Sequence, residues 1–532
     1  MKNKHSLLIG ILITLTYFII HLAIINDYGV SWDYHYHLYA GLYHLGLSVP
    51  SIDSPPPVPF ASPDPRLSVT DPFGPFTQII PALSYHLFFE KWHLFPFDSA
   101  YNFPMVIFGA LGVGLLFMFV YETIGFIPAL ISSVFLALLP SYFGYLHNNM
   151  KDIPNAFAFT LAIYLFWRLV QKRSLVDLAL AIASFAFAFN VKINSVFIPV
   201  VCFVWFVLCH GRDLFDIVRK GKFQLFIAKR LHLIILYFIF APLFAILLWW
   251  PFWQDPIGKL LELPYFYSHN TLNMPVLLMG TIYRSGVNIP WYYPFFYIVI
   301  TVPIPILISF IVGLILSLVK FRKKNYLYLF LIIWFFLPLL RYFNPKTGAI
   351  DGIRHFMEIV YPLCFISGIG AMWLYERIII FTKNKLVGII VGTIVFLSLV
   401  RNIVLFHPYQ TSFFNLVIGG IKGADGKVDI DFWGTPQREA VAWLNKNAPS
   451  NSTVYVLMAQ SSAGMYLRTD LLKNLNSKSI KDSDYVVLLN RESFYAMYNY
   501  DLQSYLRQKT EENKIVFTKS IKGVPLVWVF RK

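Results

Sequence analysis

Long apolar runs, recurring along about the first 400 residues, decide what this chain can fold into. A helix that crosses the hydrocarbon core needs about 20 mostly apolar residues. Segments near 6–25, 103–121, 124–140, 154–170, 175–190, 193–209, 232–250, 292–319, 326–343, 355–375 and 386–404 meet or approach that length. Composition agrees, because 57% of the 532 residues are hydrophobic and only 14% charged, against about 25% charged in a typical globular domain. A soluble fold would lack the polar surface to cover itself. The expectation is an α-helical polytopic membrane protein with about eleven transmembrane helices. The first run follows Lys2 and Lys4 and ends Ile24-Ile25-Asn26-Asp27 with no small-residue cleavage pattern, so it reads as a retained helix rather than a signal peptide.

The formal charge of +16 would raise nucleic-acid binding in a soluble protein. Here the basic residues sit in short connections between apolar runs, where they act as orientation signals beside anionic lipid. No nucleic-acid partner is expected; membrane lipids are. Placing the amino terminus in the cytoplasm puts Lys172-Arg173, the stretch from Arg212 to Arg230, Lys320 to Lys324 and Arg377 to Lys385 all inside. The loop 26–102, 141–152, 251–291, 344–354 and everything after about residue 406 then fall outside. This predicts a multi-pass protein of the plasma (inner) membrane with its carboxyl-terminal part extracytoplasmic. Cys202, Cys209 and Cys364 lie inside apolar runs without metal-ligand spacing and read as packing residues.

Two domains are expected: a transmembrane domain, 1–405, including outer loop 26–102, and a small extracytoplasmic α/β domain, 406–532. From about Gly423 the chain becomes richer in Asp, Lys, Asn and Ser. Pro436–Asn447 reads as an amphipathic helix, Thr453–Met458 and Tyr485–Leu489 as buried strands, Arg491–Gln508 as a second helix, and Lys514–Lys519 with Leu526–Phe530 as a hairpin. Prolines 55, 56, 57, 59, 63 and 65 make an irregular outer loop.

Charge inside hydrocarbon is costly and scarce here; Asp177 and Glu358 are the exceptions, and a proton or ion relay would need more. The polar groups that call for an explanation lie at the outer ends of helices. Asp33, in Ser31-Trp32-Asp33-Tyr34, can be a helix N-cap, a carboxylate facing a cleft, or both. His35, His37 and His44 follow it and suit an aromatic interface better than a metal site; no metal ligand is assigned, and a need for a divalent cation stays open. The connection His147-Asn148-Asn149-Met150-Lys151-Asp152-Ile153-Pro154 is more polar than a turn requires, and a lysine beside a helix N-terminus can hold a phosphate. Asn190-Val191-Lys192 and Asp351-Gly352-Ile353-Arg354-His355 each put a cation at the same outer interface. Headgroup anchoring explains any one of Lys151, Lys192 and Arg354; three on one side favour an anionic substrate. The aromatic outer loop 251–291, with Tyr283 and Arg284, suits an interfacial belt, a sugar or the lipid end of a polyprenyl phosphate.

With those residues in view, the chain resembles the phospholipid-carrier-dependent glycosyltransferases of the GT-C class, related to dolichyl-phosphate-mannose protein mannosyltransferases. Four stretches carry the likeness: Ser31-Trp32-Asp33, His147 to Pro154, Asp351 to Phe356, and the run from His407-Pro408-Tyr409-Gln410 through Phe414-Asn415, Gly419-Gly420 and Asp431-Phe432-Trp433-Gly434. The resemblance implies a GT-C-like fold, a polyprenyl-phosphate sugar donor bound at the outer leaflet, and Asp33 as the matching catalytic acid. Relatives often have Asp-Glu where this chain has Asp33-Tyr34, so a second acid, Asp71 or Asp152, stays open. The expected reaction moves a sugar from the carrier to an acceptor (protein, glycan or lipid), with Asp33 and Asp152 as catalytic candidates. His147, Asn148, Asn149, Lys151, Lys192, Tyr283, Arg284, Asp351, Arg354 and His355 are the substrate-binding candidates. A polytopic transporter or lipid-linked glycan flippase is the rival reading, against which stands the gathering of polar clusters at one surface rather than at mid-membrane.

Overall fold

The computed structural model of the chain describes residues 2–49, 74–221, 223–250, 253, 255–258, 260–261, 273–322, 325–498 and 500–532. The proline-rich loop tip, Asp71 and much of the aromatic loop, 262–272 included, lie outside the described residues. Among those described, eight helices are long and apolar enough to cross a membrane: His5–Ala23, Phe97–Thr123, Asp152–Lys172, Ile193–Arg212, Ile304–Arg322, Tyr326–Phe343, Gly352–Thr382 and Lys385–Phe406. Three shorter apolar helices, Phe126–Ala137, Leu175–Val191 and His232–Leu248, accompany them. The chain is an integral membrane protein.

One expected span is divided. The segment 292–319 forms two helices, Tyr293–Thr301 and Ile304–Arg322. Val302 is extended between them, as the residue before Pro303 is biased to be.

Helix ends follow local chemistry. The Ser174 side chain accepts from the Asp177 N–H and starts Leu175–Val191, while Arg173 ends the helix before it in a left-handed conformation. Lys383 and Asn384 turn the chain between the last two long helices, with the Asn384 side chain accepting from Leu386 N–H at 2.9 Å. Asp152–Lys172, Gly352–Thr382 and Phe97–Thr123 are mostly buried inside the bundle, whereas His5–Ala23 and Lys385–Phe406 are mostly exposed and lie at its edge. The central helices are therefore the ones whose ends can share a protected site.

The small carboxyl-terminal domain is built on a four-stranded sheet. Its strands, numbered after the short hairpin β1 (Pro275–Leu278) and β2 (Thr281–Arg284), are β3 (Val454–Leu457), β4 (Tyr485–Leu489), β5 (Ile515–Ile521) and β6 (Val524–Arg531), in the order β3-β4-β6-β5. β3 and β4 are parallel, with Val454 opposite Tyr485; β6 runs antiparallel to both β4 and β5. Helix Gln437–Asn447 packs on this sheet through Ala440, Val441 and Leu444. The expected second helix is not continuous: a 3₁₀ turn, Glu492–Met497, precedes the helix Leu502–Glu511. Asp501 restarts the helix by accepting from Ser504 N–H at 3.0 Å. That break leaves Arg491 outside any helix, at the end of β4.

The domain is fastened to the connection that follows the first long helix. Tyr466 Oη accepts from Val30 N–H at 3.0 Å, Ser462 Oγ donates to Ser31 O at 2.8 Å, and Trp32 N–H donates to Trp433 O at 3.0 Å. Three consecutive residues ahead of Asp33 are thus held by the tail.

Candidate functional site

Asp33 occupies the N-cap position of helix Tyr34–His44, but its carboxylate makes no cap hydrogen bond. It accepts instead from Lys151 Nζ, 118 residues away in sequence. The two readings of Asp33 therefore separate: its position is that of a cap, its side chain is turned to a cation. Capping of the helix that follows Lys151 falls to Asn149, whose Oδ1 accepts from the N–H groups of Lys151 (3.1 Å) and Asp152 (2.8 Å). Pro154 occupies the first turn, where its missing N–H costs nothing. With the backbone satisfied by Asn149, the Lys151 and Asp152 side chains are released for other partners.

Those partners form a chain of alternating charge. Asp152 Oδ1 accepts from Lys192 Nζ at 2.5 Å, and Asp152 Oδ2 takes Asn149 Nδ2 at 2.8 Å and lies 3.6 Å from Arg354 Nη1. Arg354 gives Nε and Nη2 to Asp351 Oδ2, at 2.9 and 2.5 Å. The turn that makes this fork holds Asp351 at φ +54° and Gly352 at φ +66°; the left-handed region suits glycine and is tolerated by aspartate. Asp351 Oδ1 accepts from Arg491 Nη2 at 2.5 Å. The ring of Trp433 lies against two of the cations, 4.6 Å from the Arg354 guanidinium and 5.4 Å from Lys151 Nζ.

Four cations (Lys151, Lys192, Arg354, Arg491) thus stand against three carboxylates (Asp33, Asp152, Asp351) in one network. Nearly all of it is buried, but Asp33 keeps 38% of its side-chain surface accessible, against 3% for Lys151. The open edge is therefore at Asp33. Burial by itself would raise the Asp33 carboxyl, but the Lys151 ammonium and the Arg354 guanidinium outweigh it and hold the group well below the usual carboxylate range. Asp431, by contrast, is pushed up to about 6, chiefly by burial. Asn148 Oδ1, His355 Nε2, Asp431 Oδ1 and Trp433 Nε1 are buried with no hydrogen-bond partner among the described residues. Buried polar atoms are normally paired, so these four offer hydrogen-bonding capacity that a polar ligand could use.

The remaining candidates divide. His147 is on the flank, its Nε2 2.7 Å from His21 Nδ1 and its ring stacked on Tyr28 at 3.8 Å; burial holds it well below the usual histidine range, so it is neutral. His355 adjoins Arg354, and its carbonyl accepts from Arg341 Nη2 at 2.6 Å. Tyr283 and Arg284 are not joined to the network by any described contact. They lie on β2, where Arg284 is exposed and gives Nη1 to Asn273 O at 3.2 Å. Among the described residues no three His, Cys, Asp or Glu side chains group as metal ligands. Glu358 and Asp177 are paired, with Arg341 at 3.1 Å and Arg168 at 3.3 Å. Arg491 was not among the sequence candidates; the available signal was a lone arginine directly after an apolar strand and Asn490.

The arrangement is that of a GT-C membrane fold. ArnT from Cupriavidus metallidurans in the apo state aligns over 97% of this chain and 97% of its own, at 11% identity and a TM-score of 0.50. The structure of the same protein bound to undecaprenyl phosphate aligns over 98% and 97%, again at 11% identity and 0.50. The likeness at this identity is one of fold. A sequence pattern described as dolichyl-phosphate-mannose-protein mannosyltransferase matches residues 94–250, the stretch that carries Asn149, Lys151, Asp152 and Lys192. No curated protein matches by sequence. The resemblance read from the motifs is thus met independently by fold and by sequence pattern.

Proposed function

We propose that the protein transfers a sugar from a polyprenyl-phosphate donor to an acceptor at the outer face of the membrane, with 1–405 as the catalytic domain and 406–532 covering the site. The observation that carries this reading is the excess of cations in a buried network whose open edge is a single carboxylate, Asp33. The donor's phosphodiester takes Lys151 from Asp33 and meets Arg354, which Asp351 keeps in place, with Lys192 behind them. That exchange frees Asp33 and raises its basicity, because the cations that held it down now face phosphate. Asp33 then accepts the proton of the acceptor's nucleophile as the bond from the anomeric carbon to the phosphate oxygen breaks. The leaving polyprenyl phosphate gains charge, which cations already fixed in a low-dielectric recess stabilise without reorganising. Asp152 serves in this scheme as the anchor that orients Lys192 and Arg354. The relative solved with undecaprenyl phosphate supports a carrier of that chemistry.

The test is to incubate the purified chain in lipid nanodiscs with a panel of labelled polyprenyl-phosphate sugars and measure released polyprenyl phosphate. Release from at least one donor, abolished in Lys151→Ala and Arg354→Ala, is expected. No release from any donor, together with movement of the intact glycolipid between leaflets, would replace this reading with lipid transport.

A further inference from the structure

Arg491 belongs to the carboxyl-terminal domain, yet its charge is spent on the bundle. It is buried at the end of β4, and its guanidinium works in two directions: Nη2 gives to Asp351 Oδ1 at 2.5 Å, and Nη1 gives to Phe432 O at 2.9 Å. The guanidinium is clamped by aromatic rings, 3.6 Å from the centre of Phe494 and 5.4 Å from that of Trp32. Because Asp351 Oδ1 is taken from this side, Oδ2 is left to receive both Nε and Nη2 of Arg354. One carboxylate is therefore shared by two guanidiniums, the second of which leans on Trp433 and reaches toward Asp152. Asp351 sits in a left-handed turn, a conformation that its surroundings must hold in place.

We propose that Arg491 is a positioning residue for the donor's phosphate: it fixes Asp351, and through Asp351 the direction in which Arg354 presents its charge. The carboxyl-terminal domain is then a structural part of the anion site rather than only a cover over it. This rests on the donor-site reading given above and deepens it. Contacts to a side-chain carboxylate and a backbone carbonyl in two directions need the planar fork of arginine; a lysine in its place keeps the charge but is a single point donor.

The experiment uses the full chain in nanodiscs, with undecaprenyl phosphate as the probe and thermal unfolding as the check on folding. Arg491→Lys and Arg491→Ala are each expected to weaken binding of the probe about ten-fold, the size of coupling found between residues of one charged network. The double variant Arg354→Ala/Arg491→Ala is expected to bind no worse than Arg354→Ala alone, since Arg491 acts through Arg354. Asp351→Asn, which cuts the link itself, should match Arg491→Lys and carries the test if Arg491→Ala does not fold. Wild-type affinity in Arg491→Lys and Asp351→Asn, with affinity lost in Arg354→Ala, would reduce Arg491 to a domain fastener. So would losses that simply add in the double variant. Wild-type affinity in Arg354→Ala would instead overturn the donor-site reading itself, a separate failure.

Discussion

The two ends of helix Asp152–Lys172 carry buried charge of different kinds. At its first residue, Asp152 is shared between Lys192 and Arg354, within a network that has more cations than carboxylates. About 24 Å along the helix axis, Arg168 meets Asp177, which also takes the hydroxyl of its own N-cap, Ser174. The second arrangement is balanced, one cation facing one carboxylate at a helix junction. The first is open, because several cations share few anions and an incoming anion can take a place in it. Buried charge alone therefore does not mark a site; an imbalance beside an accessible edge does.

The largest contrast expected is in stability and turnover together. Asp152→Asn should lower unfolding free energy by about 3–5 kcal/mol, the scale for breaking a buried ion pair, and abolish turnover. Asp177→Asn, whose partner is partly exposed, should cost about 1 kcal/mol and leave turnover within about two-fold. Thermal unfolding in nanodiscs and polyprenyl-phosphate release measure both, and equal losses at the two ends would break the comparison. Next in size, Arg354→Ala should weaken undecaprenyl-phosphate binding by about 30-fold, as loss of a buried charge partner does, while Arg168→Ala should leave it unchanged in the same titration.

A smaller and more diagnostic effect concerns pH. In the free protein the Asp33 carboxyl is held well below its usual range by Lys151 and Arg354, against the upward push of burial. A group so depressed loses its ionised, basic form only when pH falls through its lowered value. In the proposed exchange, donor binding turns Lys151 and Arg354 from Asp33 to the phosphate, so the carboxyl rises. The acid limb of kcat, which reports the complex, should therefore lie at higher pH than the acid limb of kcat/KM, which reports the free protein. Coincident limbs would contradict exchange of partners at Lys151. Smallest of all, Arg284→Ala should change donor KM by less than about two-fold, as a surface substitution away from the network does.

Much of this fold is legible in sequence because hydropathy over a span sums the preferences of many residues, and errors at single positions cancel. The divided segment 292–319 shows the limit: one extended residue before Pro303 interrupts a run that hydropathy reads as continuous. Lys151, Lys192 and Arg354 stand out because each is a cation on the side where the basic loops do not gather. Their convergence, and the carboxylates that join them, are three-dimensional facts that spacing alone cannot express. The spacing around Asp33 favours a helix cap and allows a catalytic group as well, and only the direction of its side chain tells what the carboxylate faces. For Arg491 the sequence offers only a lone arginine after an apolar strand; its partner, Asp351, lies 140 residues away and no spacing links the two. Tyr283 and Arg284 drew notice through an aromatic neighbourhood in sequence that places them on a hairpin outside the network.

The central claim, that one accessible carboxylate acts as base beside a cation-rich phosphate site, is tested most directly by Asp33→Asn, assayed for undecaprenyl-phosphate binding and donor turnover in the same nanodisc preparation. Binding should be retained or tightened, because Lys151 loses its competing carboxylate, while turnover falls by about 10²-fold or more, the scale of a lost general base. Turnover equal to that of the unaltered chain would contradict the account.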